Sequence, residues 1–273
     1  MTGIWPDDMR CAVVLSFDID GVSSAINRNP ESKNLPSLMS MREYGPAVAT
    51  QRILTLLDEQ EIKASFFIPG YVAETHEELV VEIRDRGHEI GHHGYMHEPP
   101  ATLSRDREAE VLDRGIEIIE RITGDRPRGY RSPSWELSED SLPLLAERGF
   151  AYDSSLMGDD VPYLVHANGR TLVEVPIHWE LDDAPFFGYT PFLGQTYGTA
   201  SPEHVYQVWS AAFEGAHHYG RSFVLTMHPW ITGRPGRLRM LERLIAYIRG
   251  FDGVEFMTAE VLVDTWTRQA KGE

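Results

Sequence analysis

Two aspartates one residue apart, two histidines four apart, and a later arginine and histidine are the side chains of this sequence best suited to chemistry. Four of the eleven histidines, His88, His92, His93 and His97, fall within ten residues. The spacing of His93 and His97 predicts two imidazoles on one face of a helical turn, a common way for neutral imidazoles to meet one divalent ion. With Asp20 they make one carboxylate and two imidazoles, a set that suits a catalytic metal with positions open to water. Asp18 lies on the same strand face as Asp20 and is free to act as general base. Arg131 is a permanent cation that can hold Asp18 ionised, and His228, titrating near neutrality, can protonate a leaving nitrogen. Plainer readings stand beside each of these. The histidines could form a surface loop, Asp-x-Asp-Gly a strand-ending turn, Arg131 a surface ion pair, and His228 a satisfied core residue.

The elements that would position these groups decide between the readings. Cys11 to Phe17 is apolar and partly β-branched, as a buried strand should be, and it runs into Asp18-Ile19-Asp20-Gly21. Further strands are predicted at Lys63 to Pro69, His88 to Gly91, Gly149 to Asp153, Leu172 to Pro176, Ser222 to Met227 and Gly253 to Met257. Helices are predicted from Pro46, from a capping box at Thr75 to Glu78, from Ser104 to Thr123, after Ser138, from Ser201 to about His218, from Leu238 to Ile248 and from Thr258. The stretch from Val22 to Gly45, with Pro30 and Pro36, predicts a long irregular loop of the kind that carries function. Strand and helix alternate without a composition break, which predicts one α/β domain over residues 1–273 with a parallel core. Asp18, Asp20, His93, Arg131, Asp153 and His228 all follow predicted strands. In a β/α barrel the strand ends share one face, and that face carries the active site.

Composition narrows the partners. Lys and Arg number 25 against 42 Asp and Glu, giving 25 − 42 = −17. An anionic backbone or membrane surface is therefore an unsuitable partner, and no nucleic acid or membrane is expected. The opening residues, Met1 to Arg10, contain no apolar h-region, so a cytoplasmic protein is expected. The single cysteine, Cys11, cannot form an intrachain disulfide and reads as a small buried hydrophobe. Phe186, Phe187, Tyr189, Phe192 and Tyr197 make an apolar loop, from which a homo-oligomer with a closed pocket is expected.

The sequence resembles the polysaccharide deacetylases of the NodB-homology type, the carbohydrate esterase 4-like proteins. Ser16-Phe17-Asp18-Ile19-Asp20 looks like the family's first motif and His93 to His97 its second. Arg131-Ser132-Pro133, Asp153-Ser154 and Leu225-Thr226-Met227-His228 look like the third, fourth and fifth. The resemblance spans roughly Arg10 to Met257. It implies a distorted (β/α) barrel, Asp18 as base, His228 as acid, and a divalent metal, zinc foremost, on Asp20, His93 and His97. Ile19 is a departure, because the family's usual first motif has adjacent aspartates. Pro176 to Asp183 resembles a branch that includes intracellular peptidoglycan-deacetylase-like proteins and hydrolases of cyclic imides and ureides.

The leading expectation is thus a metal-dependent hydrolase of non-peptide C–N bonds acting on a small amide or N-acetylated sugar. A backbone N–H near Ser132 is expected to help hold the oxyanion. A hydrolase of cyclic amides, imides or ureides is the alternative enzyme. A silent binding module is the alternative class; it would have no need to keep both Asp18 and His228.

Overall fold

The computed structural model describes residues 4–6, 8–196 and 199–272. The strands are β1 (Cys11–Asp18), β2 (Ser65–Ile68), β3 (Glu89–His92), β4 (Gly129–Tyr130), β5 (Tyr152–Asp153), β6 (Tyr163–Ala167), β7 (Arg170–Glu174), β8 (Tyr189–Thr190), β9 (Gln195–Thr196), β10 (Ser222–Met227) and β11 (Val254–Phe256). One sheet runs in the order β10-β1-β2-β3-β4-β5-β7-β6, with β11 also on β1. All its pairings are parallel except that of β6 with β7. The sheet curls until Asp182, after β7, bridges Thr226 of β10. This is the α/β architecture expected, a barrel drawn together at one bridge.

Burial explains the strand sequences. β1 is buried along its whole length. Its odd positions, Val13, Leu15 and Phe17, pack with residues of the surrounding helices, including Ile53, Leu57 and Leu241. Its even positions Ala12 and Val14 pack instead with Phe67, Tyr152, Val175 and Val224, inside the curl. Asp18 has the same parity as this inner set, so the period of two sends its carboxylate inward. Fully burying each apolar side chain of this size stabilises the fold by roughly 1.5–3 kcal/mol.

The register brings distant residues level. Phe17 is paired with Met227, and Asp18 with Phe67. Ile68 is paired with His92, His92 with Tyr130, and Tyr130 with Asp153. The residues just past these positions therefore emerge at one end of the sheet. His93, Arg131 and His228 are among them.

Helix Arg105–Thr123 follows its pattern closely: Ser104 accepts a bond from the Arg107 N–H, and Gly124 ends it at φ 83°. Four expectations differ from the structure. Val22 to Gly45 is helical, with helices Ser23–Arg28 and Pro36–Tyr44 and a 3₁₀ turn between them. Its prolines, Pro30 and Pro36, open elements at N1, where a missing N–H costs nothing. Second, β6 and β7, which the strand pattern does not predict as a pair, form a hairpin through Asn168 (φ 50°) and Gly169 (φ 71°), an Asn-Gly turn. Third, Thr75 ends one helix, bonding back to the Tyr71 carbonyl, while the next begins at Glu77 with no side-chain cap. Fourth, Ser138 lies three residues before helix Ser141–Glu147, donating to Glu108. The aromatic loop is also partly regular: helix Ala184–Phe187 leads into the β8–β9 hairpin. Phe187 is buried, Tyr189 and Phe192 are exposed, and Tyr197 lies outside the described residues.

No helix among the described residues is long and apolar enough to cross a membrane. Cys11 is buried, and burial pushes its thiol up to about 12, leaving it inert.

Candidate active site

At the strand C-terminal end a cavity of about 480 Å³ is lined by Asp18, Asp20, His93, His97 and His228 together with aromatic and cationic side chains. Arg131 lies beneath, out of solvent.

The four clustered histidines divide by hydrogen bonding. His88 Nδ1 accepts from the Ala64 N–H, and burial pulls this residue down to about 4. His92 Nδ1 accepts from the Gly94 N–H, so its Nε2 carries the hydrogen and donates to the Leu112 carbonyl, 3.2 Å away. Burial lowers it to about 3. A Cβ on Gly115 would lie 2.1 Å from that Nε2, so the helix can pass only as glycine. Both histidines are structural.

His93 and His97 are the pair that faces Asp20. They do not share a helical turn, contrary to the spacing argument. The chain leaves β3 through Gly94 at φ 73° and returns at His97, φ 61°. Glu98 holds this turn by accepting from the Tyr95 and Met96 N–H groups. A Cβ on Gly94 would come within 3.0 Å of the Pro133 ring, a second reason for glycine there. Two backbone residues in the left-handed region place the imidazoles where a helix would not.

His93 Nδ1 donates to the Arg131 carbonyl at 2.7 Å, which leaves Nε2 with a lone pair toward the cavity. His93 Nε2 and His97 Nε2 each lie 3.6 Å from Asp20 Oδ1. That is too long for a hydrogen bond, and Asp20 Oδ1 is buried without a partner among the described residues. Ligand bonds of about 2.0–2.1 Å in a tetrahedron put donor atoms about 3.3 Å apart, so the spacing and the orphaned oxygen fit one divalent ion. Burial opposes ionisation of Asp20, but His97, His93 and His228 outweigh it and hold the carboxyl well below the usual range. Burial pulls His97 down to about 4, keeping it neutral as a ligand must be.

Asp18 is held from the other side. Its Oδ1 accepts from Arg131 Nη1 at 2.9 Å, and its Oδ2 stands 3.9 Å from His93 Nε2. Arg131 is 0% exposed and also donates to Ser16 Oγ, the Ser154 carbonyl and Ser154 Oγ, with its plane 4.1 Å from the Phe67 ring. A buried guanidinium so fully bonded is fixed in place, and it is no surface ion pair.

His228 differs from expectation in its charge. Burial would lower it, yet Asp183, then Asp182 and Asp20, raise it well above the ordinary imidazole value. Its Nδ1 donates to Asp183 Oδ1 at 2.7 Å. The other Asp183 oxygen accepts from the His228 N–H and from Thr232 Oγ1. Asp182, 3.7 Å from the same Nδ1, is pushed up to about 7 by burial. Asp183 was not singled out from the sequence for this task; the only signal was its place in Pro176 to Asp183.

Two further expectations change. Asp153 does not line the cavity: it is buried, bonded to Ser155 Oγ and pushed up to about 6 by burial. The Ser132 N–H itself donates to Ser155 Oγ at 2.9 Å and is spent on structure, which narrows the expected oxyanion donor to a neighbouring backbone N–H.

The family model described as polysaccharide deacetylase matches residues 32–152. Over 284 residues the chain is 31% identical to the peptidoglycan deacetylase of Helicobacter pylori, covering 94% of this chain and 96% of that one. The chain belongs to the polysaccharide deacetylase family. It is accordingly an enzyme, a hydrolase of carbon–nitrogen bonds other than peptide bonds. A solved Mycobacterium smegmatis protein assigned to the same family is 38% identical and superposes with a TM-score of 0.94, over 97% of this chain and 93% of that one. The PuuE allantoinase structure, 23% identical with a TM-score of 0.85 over 96% of this chain and 92% of that one, shares the fold.

Proposed function

We propose that the protein is a metal-dependent N-deacetylase that hydrolyses the acetamide of an N-acetylated sugar, as a single domain with its site at the strand C-terminal end. The observation that carries this reading is the orphaned Oδ1 of Asp20, 3.6 Å from two imidazole nitrogens and beside an independently fixed second carboxylate. Asp20, His93 and His97 would hold the ion, and zinc suits one carboxylate and two imidazoles best. When bound, such an ion acidifies a water and polarises a carbonyl.

The chain's own residues supply the rest. Asp18 Oδ2 takes the proton of the attacking water while Arg131 holds Oδ1, so the base is correctly turned. The water oxygen bonds to the acetyl carbon, and the C–N bond breaks. His228 Nε2, the ring nitrogen without a protein partner among the described residues, gives its proton to the departing nitrogen. Asp183 keeps the ring protonated and aimed. The family, the H. pylori relative and the stacked Trp135–Trp179 pair lining the cavity, with centroids 4.3 Å apart, support a sugar as the acyl carrier.

The test is acetate release from small N-acetylated sugars, run beside ring opening of cyclic imides and ureides. Asp18→Asn should keep the metal and lose roughly 10²–10⁴-fold in kcat. Ring opening without acetate release would move the reaction to cyclic amides. The exposed Tyr189 and Phe192, 50% and 75% accessible, support self-association through the β8–β9 hairpin at the cavity mouth. A monomer by light scattering at micromolar concentration would remove that part of the reading.

A further inference from the structure

The helical segment read from sequence as a loop contributes two arginines, Arg28 and Arg42, to the wall of the candidate catalytic cavity. Arg42 is 4% exposed. Its Nη2 reaches two neutral acceptors, Thr190 Oγ1 at 3.4 Å and Gln195 Oε1 at 3.3 Å, and its guanidinium lies 3.8 Å from the Trp230 ring. Its Nε is buried with no acceptor among the described residues. Neither arginine has a carboxylate within ion-pair distance among the described residues. Arg86, Arg105, Arg128 and Arg148 each meet at least one acid, while Arg52 and Arg170, at the surface or partly buried, bond to neutral oxygens. Acids outnumber bases 42 to 25, so leaving a desolvated guanidinium unpaired runs against composition as well as electrostatics. Burial pulls Arg42 down to about 10; Asp20, which lines the same cavity, works against that pull, and the like charge of Arg28 adds to it.

A purely structural role, with Arg42 tying the β8–β9 hairpin to helix Pro36–Tyr44, explains the two neutral contacts. It does not explain why, in a cavity that also holds Asp18, Asp20 and Asp182, no acid stands within ion-pair distance of the buried cation among the described residues, nor why Arg28 adds a like charge there. An anion arriving with the substrate explains both.

We propose that the substrate carries a carboxylate as well as the amide to be cleaved, and that Arg42 and Arg28 bind it. This deepens the deacetylase reading and rests on it for the amide, while the anion site stands on the arginines alone. Isothermal titration of the wild-type protein with two matched pairs tests it. One pair is N-acetylmuramic acid and N-acetylglucosamine; the other is N-acetylglycine and N-acetylglycinamide. The carboxylate member of at least one pair should bind roughly 10- to 100-fold more tightly, the ratio expected for one charge-assisted hydrogen bond. Arg28→Ala or Arg42→Gln, shown folded by circular dichroism, should bring that ratio within about threefold. Arg28 is exposed, so its variant tests the proposal even if Arg42→Gln fails to fold. Equal affinities within both pairs, or measurable binding of none, overturns the proposal. So does a preference that survives in every folded variant, as it would if the carboxylate sat on a metal. Acetate release is scored separately: release without preference removes the anion site and keeps the deacetylase, and preference without release does the reverse.

Discussion

The Asp20–His93–His97 cluster and the Asp182–Asp183–His228 cluster contain the same kinds of side chain and face the same cavity, yet their hydrogens are distributed in opposite ways. In the second, Asp183 accepts three hydrogens, from Thr232 and from the backbone and ring nitrogens of His228, and Asp182 accepts the Ala184 N–H. A proton on the imidazole completes it. In the first, His93 spends its hydrogen on the Arg131 carbonyl, no donor among the described residues reaches Asp20 Oδ1, and the separations are too long for hydrogen bonds. Both sets lie close enough to be read as metal sites from donor atoms alone. The hydrogen bonds separate them: one cluster is satisfied by a proton and the other suits a larger cation.

The largest effect should come from breaking the first cluster. The purified protein should carry about one divalent ion per chain, and His93→Ala or His97→Ala should lose both the ion and all measurable acetate release. His228→Ala should lose activity and keep the ion. If elemental analysis finds the same metal content in all three variants, the two clusters are not distinguished as argued.

A smaller effect sharpens the second cluster. Asp183 raises His228, and the protonated ring is the form that can donate. Rate should therefore fall on the alkaline side as that proton is lost. In Asp183→Asn the imidazole loses its main stabilising charge, so the alkaline limb should move to lower pH while metal content stays unchanged. kcat at neutral pH should drop by roughly 10²–10⁴-fold, the loss expected when general acid catalysis is removed. An alkaline limb that does not move would separate His228 from the pH profile.

The sequence carried the residue types of the first cluster and little of its shape. Asp18 and Asp20 could be placed on one face because a strand has period two, and that reading needs no tertiary information. His93 and His97 could not, because two left-handed backbone residues and a Glu98-braced turn replace the expected helical turn. Asp183 was harder still. Its partner is 45 residues away, and the contact exists only because the sheet curls until Asp182 meets Thr226. The segment from Val22 to Gly45 misled for a local reason. Helix Pro36–Tyr44 buries only Leu38 and Arg42, so its inner face shows no apolar stripe.

Glu89 extends the comparison to a third way of satisfying a buried carboxyl, and the smallest of these effects. It begins β3, at the end of the sheet away from the cavity, where it accepts from Ser65 Oγ, Tyr152 Oη and the Glu260 N–H. No cation among the described residues lies within ion-pair distance of it. Burial, with Glu260 nearby, pushes it from an ordinary value of 4.5 up to about 7. Below that value the carboxyl holds its own proton. Its folded value lies above its unfolded one, so the folded state binds more protons between pH 4.5 and 7. The contribution to stability is complete below pH 4.5 and is lost as pH rises through 7. Over that window it amounts to about 2–4 kcal/mol. Glu89→Gln removes the titration while keeping nearly the same shape. Urea denaturation of the two proteins at a series of pH values should show wild type losing stability relative to the variant between pH 4.5 and 7. A constant difference across the window would mean that Glu89 ionises in the folded protein as readily as in the unfolded chain. The distinction between a carboxyl that suits a metal, one that partners an imidazolium and one that stays neutral would then lose its third case.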